Sequence, residues 1–297
     1  MKIVAYDDEA GRPAIGVRVG DGVLPTGHRD LTALIKTGPG GLDPVRQACE
    51  NPDELVYPTR LKAPLSAAST LLLAGGNYAD HLAETGLHPT EPVFFSKLRS
   101  AVIGPDEPIR IPTPQTHTDW EAELSIIIGK PAYRVPAERA HEYIFGYTMI
   151  NDVSARDVMD REPLQITLCK CPDTFCPLGP HIVTADEVPD VNTTPLEIST
   201  RVNGVYKQQT TTDTMIYSIP TLLEFLTRTV TLQPGDLMSS GTCGGTGVGR
   251  TPQEFLHPGD TVTVGVSGVG YLSNPVAARW PEHTSGPGTT SPIDKEK

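Results

Sequence analysis

Asp119, Glu121 and Glu123 alternate along Asp119-Trp120-Glu121-Ala122-Glu123-Leu124-Ser125, and beyond Ser125 the run becomes wholly apolar through Ile126-Ile127-Ile128. In an extended strand, residues two apart share a face. The three acids and Ser125 therefore point one way, and Trp120, Ala122, Leu124 and Ile126 the other. Adjacent carboxylates repel unless water or a cation relieves them. Two readings follow: a half-exposed strand with an acidic outer face, or an oxygen-only site for Mg²⁺, Mn²⁺ or Ca²⁺. Asp152 offers a third oxygen ligand, because it ends the apolar run Tyr147-Thr148-Met149-Ile150.

His81 and Glu84 stand three residues apart in Asn77-Tyr78-Ala79-Asp80-His81-Leu82-Ala83-Glu84-Thr85-Gly86, where Asn77 is expected to cap a short helix and Gly86 to end it. That spacing places both on one helical face. A carboxylate beside an imidazole orients the ring and raises its basicity, so the pair could draw a proton from water. An exposed helical ion pair is the other reading. The glycines on either side leave room for hinge motion. Lys170, between Cys169 and Cys171, reads either as a charge that stabilises an enolate or as a surface lysine.

Ser240-Gly241-Thr242-Cys243-Gly244-Gly245-Thr246-Gly247-Val248-Gly249 is a glycine-rich loop after a strand. It lacks the Gly-Lys-Ser/Thr of a P-loop, and Pro252 breaks the helix that a dinucleotide fingerprint needs. Its backbone N–H groups suit close approach of an anion; a structural turn is the alternative. Cys169, Cys171 and Cys176 are spaced C-x-C-x4-C, which fits no usual zinc pattern, so buried thiols are expected.

The elements that must position these groups are short. Strands are expected at Lys2–Tyr6, Ile15–Val19, Leu71–Ala74, Val93–Lys97, Trp120–Ile128, Tyr143–Val153, Leu196–Val202, Val205–Gln208, Thr261–Val266 and Tyr271–Ser273. Helices are expected at Leu31–Lys36, Pro44–Glu50 and Ile219–Thr227. Residues 1–64 read as a small β-rich unit, 65–280 as the main domain, and the Ser/Thr/Gly/Pro-rich stretch 281–297 as a disordered tail.

Composition bounds the rest. Twenty-four Lys+Arg against 36 Asp+Glu give a formal net charge of -12, which argues against a nucleic-acid or anionic-membrane surface. Apolar runs fall far short of the roughly 20 residues a spanning helix needs. The N-terminus shows no secretory h-region, so a cytoplasmic protein is expected. Five cysteines in 297 residues exclude a disulfide scaffold. Glycine (28) and proline (29) together make about a fifth of the chain, pointing to short strands and tight turns.

Taken together, residues 69–276 resemble the fumarylacetoacetate hydrolase superfamily. The resemblance rests on Asn77-Tyr-x-x-His81-x-x-Glu84-x-Gly86, Phe94-Phe95-Ser96-Lys97, Asp119-Trp-Glu121-Ala-Glu123-Leu and Gly146-Tyr-Thr-Met-Ile-Asn151-Asp152-Val-Ser-Ala-Arg156-Asp157. It continues through Lys170-x-x-Asp173-Thr-Phe-Cys-Pro-Leu-Gly-Pro180, Val202-Asn203-Gly204, Pro234-Gly235-Asp236 and Ser240-Gly241-Thr242. The resemblance implies a mainly β (α+β) fold, a mixed β-sandwich roll behind a small N-terminal domain, in a homodimer. It implies Mg²⁺ or Mn²⁺ on Glu121, Glu123 and Asp152, catalysis by His81, Glu84 and Lys170, and a pocket lined by Lys97, Arg156 and Thr242.

The implied activity is metal-dependent hydrolysis of a C–C bond in a β-diketone or acylpyruvate-like 2-oxo acid, through an enolate. Oxaloacetate-type decarboxylation, hydroxy-dienedioate isomerisation and ureidoglycolate-type lyase chemistry use the same parts. A non-enzymatic binding module is the reading of a different class, and it would not need all six of these polar residues. Three departures fall near the implied pocket: Met159 where many members have Gln, Cys169-Lys170-Cys171 for Gly-Lys-Ser, and Gly241-Thr242-Cys243 for Gly-Thr-Pro. They suggest a less polar substrate.

Overall fold

Short β-branched runs punctuated by glycine and proline fold as strands joined by tight turns. The structure is a computed structural model, and it describes residues 1–52, 54–86, 88–159, 161–191 and 193–279. The tail expected at 281–297 lies outside the described residues. Strands β1 (Lys2–Asp7), β2 (Pro13–Val19) and β3 (Gly22–Pro25) form an antiparallel meander, followed by helices α1 (Leu31–Ile35) and α2 (Gly38–Glu50) and by β4 (Leu61–Lys62). The chain then runs through β5 (Leu71–Gly75), α3 (Ala79–Thr85), β6 (Val93–Ser96), β7 (Val102–Ile103), β8 (Ile109–Ile111), β9 (Thr118–Asp119) and β10 (Ala122–Ile128). Next come β11 (Ile144–Asn151), β12 (Ser154–Ala155), α4 (Arg156–Met159), α5 (Ile166–Lys170) and β13 (Cys176–Thr184). The last elements are β14 (Glu197–Val202), β15 (Val205–Thr211), α6 (Ile219–Thr227), β16 (Leu237–Thr242), β17 (Thr261–Val266) and β18 (Gly270–Ala278).

Two sheets carry the architecture, a mixed β-sandwich roll as the sequence implies. The larger has 11 strands in the order β3-β2-β1-β13-β11-β10-β16-β5-β6, with β4 on β1 and β7 on β13. The smaller has five, in the order β15-β14-β17-β18-β8. The first strands of the chain continue the large sheet, because β1 pairs antiparallel with β13.

Alternation along the strands divides the core. Leu124, Ile126 and Ile128 of β10 pack with Ile198, Val264, Leu272 and the buried face of α6 between the sheets. Ile127 turns to the opposite face, with Leu71, Leu178, Ile3 and the α1 residues Leu31 and Leu34. Both faces of β10 are therefore covered, and all seven of its residues are buried. A third cluster around Trp120, Val153, Phe175 and Leu256 lies beside the acidic segment. Among the described residues, no helix is long and apolar enough to cross a membrane.

Candidate active site

The acid trio is produced by two neighbouring strands that stop pairing at the same place. Within β10, Glu123 lies opposite Ile150 of β11 on one side and Thr242 of β16 on the other. Glu121 precedes β10 and Asp152 follows β11. Their backbones stay linked, Asp152 N–H donating to the Glu121 carbonyl at 2.8 Å and Glu121 N–H to Asn151 Oδ1 at 2.9 Å. One ligand atom each from Glu121, Glu123 and Asp152 then lie within 4.8 Å of one another, all buried. Among the described residues this is the one group of three His, Cys, Asp or Glu so placed.

The half-exposed acidic strand is thereby excluded: Glu121 is 3%, Glu123 1% and Asp152 0% exposed, because β10 lies inside a covered sheet. The alternation fails at one point. Trp120 and Glu121 fall between β9 and β10, and β9 pairs instead with β12. Asp119 consequently leaves the acid face and receives Arg156 Nε at 2.8 Å.

Three cations answer the acids. Lys170 Nζ reaches Glu121 Oε2 at 2.8 Å and Asp152 Oδ2 at 2.7 Å, and lies 5.0 Å from the Phe95 ring centre. The surface-lysine reading is thus excluded. Arg156 Nη2 binds Glu121 Oε1, and its Nη1 faces the sulfur of Met159 at 3.7 Å. Lys97 Nζ donates to the carbonyls of Val153 (2.9 Å), Lys170 (2.6 Å) and Phe175. It also stands 2.7 Å from Asp152 Oδ1. With its three protons aimed at carbonyls, that carboxylate oxygen is left buried without a hydrogen bond. Thr242 Oγ1 donates to the Ala122 carbonyl at 2.9 Å and accepts from Gln208 Nε2 at 2.9 Å, which ties β16 to β10.

The charges do not balance. Asp119, Glu121, Glu123 and Asp152 against Lys97, Arg156 and Lys170 are four acids to three bases, one negative charge in excess. Burial alone would raise the Glu121 carboxyl, but Lys170 and Arg156 outweigh it and hold it below the usual carboxylate range. Glu123 lacks such a partner. Burial first, then Asp152 and Glu121, push its carboxyl well above that range, and Ser239 Oγ donating to its Oε2 only partly opposes this. An oxygen-only donor set, crowded so closely that Glu123 retains its proton, fits a hard dication. Among the described residues the thiols form no second such group: Cys169, Cys176 and Cys243 are free and buried, and Cys171 half-buried.

Helix α3 carries His81 and Glu84, and His81 lies near enough to Glu121 to help lower its carboxyl. His81 is buried, and its Nδ1 stands 3.7 Å from Glu84 Oε2, beyond hydrogen-bond reach. Burial pushes the Glu84 carboxyl up, but His81 and the Gly245 N–H outweigh it and lower it. Asn77 does not cap α3 as expected. Tyr78 occupies the cap position, while the Asn77 side chain donates to the carbonyls of Tyr217 (3.0 Å) and Ser240 (2.8 Å) and accepts from Tyr217 N–H (2.8 Å). The helix is thus pinned from below by a residue whose partners lie far along the chain. Gly86 ends α3 in the left-handed conformation (φ +67°) as expected.

The glycine-rich loop does bind anions, and they are the protein's own. Its N–H groups cap Glu84 and Asp119. Sequence reasoning placed Asp119 on the acid face without a role, and it missed Ser239, Ser154 and Gln208 altogether. Ser154 Oγ donates to Glu121 Oε1 at 3.3 Å. Gln208 supports both β10 and Thr242, accepting from Ala122 N–H at 3.0 Å. No local pattern marks these residues, since each meets a partner more than 30 positions away.

A mixed β-sandwich roll with a buried acid trio, braced by two lysines and an arginine at the core of its large sheet, defines a class of fold and site. The chain belongs to the fumarylacetoacetate hydrolase family: residues 70–277 match the family described as fumarylacetoacetate (FAA) hydrolase C-terminal. The mitochondrial oxaloacetate tautomerase of Xenopus laevis is 35% identical over 289 residues, 93% of this chain and 90% of that protein. The crystal structure of 5-carboxymethyl-2-hydroxymuconate delta-isomerase from Mycobacterium smegmatis is similar with a TM-score of 0.74 and 33% identity, over 94% of this chain and 100% of that one. Maleylpyruvate hydrolase from Sphingobium, in complex with manganese(II) and pyruvate, is similar with a TM-score of 0.77 and 28% identity, over 94% of this chain and 99% of that one. The family thus includes hydrolases, isomerases and tautomerases.

Proposed function

We propose that this chain is a divalent-metal-dependent enzyme that hydrolyses a C–C bond in an acylpyruvate-like 2-oxo acid or β-diketone. The observation that carries the reading is the buried, oxygen-only trio, in which the Glu123 carboxyl faces two other acids and no cation bonds it. Glu121, Glu123 and Asp152 would hold Mg²⁺ or Mn²⁺. When bound there, the ion would supply Lewis acidity to the oxygens of a chelating 2-oxo acid.

The remaining steps fall to the chain's own side chains. His81 Nδ1 faces Glu84, so the proton it holds there leaves Nε2 as the base that takes a proton from water. The water attacks the acyl carbonyl, the C–C bond breaks, and its electron pair stays with the 2-oxo acid fragment as an enolate. Lys170 Nζ, already shared between two carboxylates, is the donor placed to support that negative charge. His81 then returns the proton to the enolate carbon. Arg156 directs Nη1 toward Met159 rather than toward a polar side chain, which favours a substrate with an apolar acyl group.

A second reading is keto–enol tautomerisation of a 2-oxo acid such as oxaloacetate. The extent of the likeness to the Xenopus tautomerase favours it. It uses the same base and the same enolate but no attacking water. The purified protein, loaded with Mg²⁺ or Mn²⁺, should be given acylpyruvates and enol-oxaloacetate side by side with product identification. Pyruvate plus a carboxylic acid supports hydrolysis. Conversion of enol- to keto-oxaloacetate without cleavage of any acylpyruvate supports the second reading and overturns the first.

A further inference from the structure

The loop from Cys243 to Gly249 holds two carboxylates that come from different parts of the site. Gly245 N–H donates to Glu84 Oε1 at 2.6 Å, and Thr246 Oγ1 to Glu84 Oε2 at 3.3 Å. Gly247 N–H donates to Asp119 Oδ1 at 2.6 Å, and Val248 N–H to Asp119 Oδ2 at 3.1 Å. Trp120, beside Asp119, closes the arrangement by donating Nε1 to the Gly245 carbonyl at 3.1 Å. A Cβ would crowd both carboxylates here. A Cβ on Gly249 would stand 2.5 Å from Glu84 Cδ, and one on Gly247 2.7 Å from Asp119 Oδ1.

Asp119 continues the chain inward. It receives Arg156 Nε at 2.8 Å, and Arg156 in turn binds Glu121. Charge-assisted hydrogen bonds, stronger than neutral ones, therefore run unbroken from α3 through the loop to the acid trio. The two ends differ: the Asp119 side chain is 0% exposed and that of Glu84 is 23%. Helix α3 is short and lies between Gly76 (φ +61°) and Gly86 (φ +67°).

We propose that Asp119 is a positioning residue: it fixes the glycine-rich loop as a receptor for Glu84, and so sets the His81–Glu84 pair against the acid trio. This rests on the reading of that pair as the base. Asp119 is the fixed end of the clamp and Glu84 the end that can release. Ligand chelation at the trio and placement of the base would then be coupled through one loop, with no contact between Asp119 and substrate.

The test uses the full chain loaded with Mg²⁺. Backbone amide exchange across residues 79–86 and the pH profile of kcat/KM are measured for wild type, Gly249→Ala, Thr246→Val, Asp119→Asn and Glu84→Gln. Gly249 is not among the glycines with positive φ, so alanine there tests the contact with Glu84 rather than the backbone. Gly249→Ala and Thr246→Val should raise exchange across 79–86 about tenfold. Gly249→Ala should also change the acidic limb of the profile in the same sense as Glu84→Gln, because both take the Glu84 carboxylate from its place beside His81. Asp119→Asn should do the same and lower kcat about 10- to 100-fold, with KM changed less. A loop that merely supports the fold would lower thermal stability and leave the limb in place. Wild-type exchange in Gly249→Ala and Thr246→Val, with Glu84→Gln still moving the limb, overturns the clamp and leaves the pair standing. Full turnover in His81→Ala overturns both, since the clamp then has no base to position.

Discussion

Glu121, Glu123 and Asp152 stand at the ends of central strands, buried on every side, whereas His81 and Glu84 stand on a seven-residue helix flanked by glycines with positive φ. The trio is over-determined. Its backbone is fixed by two strand ladders, and its side chains meet Lys97, Arg156, Lys170, Ser154 and Ser239. The helix has no strand ladder: it is held by the Asn77 amide, by Ile216 N–H on the Asn77 carbonyl and the Tyr78–Met215 bridge at its base, and by the loop's grip on Glu84. Groups that must hold a fixed geometry are built into the sheet. On the proposed function, groups that must let substrate in and out would stand on the less anchored element.

The trio offers the largest expected effect. Glu123→Gln should lower kcat/KM on the order of a thousandfold, since Lewis-acid assistance is worth several kcal/mol. EDTA should do the same to wild type, with Mg²⁺ or Mn²⁺ restoring activity. The same variant sharpens the comparison in the metal-free protein. The Glu123 carboxyl is raised in the fold above its ordinary 4.5, so the fold keeps a proton that the unfolded chain gives up. Its stability therefore falls as pH rises above 4.5. Glu123→Gln removes that loss and should raise the melting temperature in EDTA at pH 7 to 8, while Mg²⁺ stabilises wild type alone. A lower melting temperature in EDTA would mean that Glu123 is not under charge strain.

The helix side should give the next effect. His81→Ala should lower kcat about 10²- to 10⁴-fold, the usual contribution of a positioned base. Magnesium affinity, measured by calorimetry, should stay within a few-fold of wild type, because no ligand of the trio is touched. Loss of metal binding in that variant would dissolve the distinction between the two regions.

The two regions were also unequally legible in sequence. The period-two acids mark a strand, with an acidic outer face and a cation site as its two readings, and β10, β14 and β17 fall close to their expected bounds, because alternation and β-branching report directly on burial. The nine-residue β13 went unseen, since Pro177 and Pro180 argue against an interior strand. Pro180 falls where the pairing with β11 slips between Tyr147 and Met149, next to Gly179 (φ +129°), and Pro177 lies beyond that ladder, opposite Ile103 of the two-residue β7. Around α3, the i, i+3 spacing of His81 and Glu84 was visible, but what holds the helix was not. Asn77 was read as a local cap, yet it reaches Tyr217 and Ser240, and the loop that grips Glu84 comes 161 residues after it. Local pattern encodes the strands; anchorage made across the fold leaves no local trace.

Acidification offers a way to separate fold from site. His181 on β13 is buried, its Nε2 donates to the Val269 carbonyl at 2.6 Å, and burial lowers its pKa from 6.5 to about 4. The fold thus keeps it neutral where the unfolded chain takes up a proton. Its contribution is complete above pH 6.5 and is lost as pH falls toward 4, by at most about 3 kcal/mol. His181→Gln should flatten the urea-unfolding stability between pH 6.5 and 4 without moving the acidic limb of kcat/KM. If that limb moved with His181→Gln, loss of activity in acid would be a property of the sheet rather than of the helix.

The smallest effect expected is at the end of α3. Gly86 closes the helix at φ +67°, and its N–H donates to the Leu82 carbonyl at 2.9 Å. A Cβ there would meet nothing within 4 Å, so Gly86→Ala acts through backbone conformation alone. An alanine in that conformation costs about 1–2 kcal/mol, and asparagine less, because it visits the left-handed region more readily. Since α3 is the weakly held part, that cost should appear as local opening rather than global unfolding. Gly86→Ala should leave the melting temperature within about 2 °C of wild type. Amide exchange at residues 79–86 should speed up about tenfold, with Gly86→Asn in between. If the melting temperature fell by the full cost while exchange at 79–86 kept pace with the sheet, helix and trio would open as one unit, and the helix would not be the looser of the two.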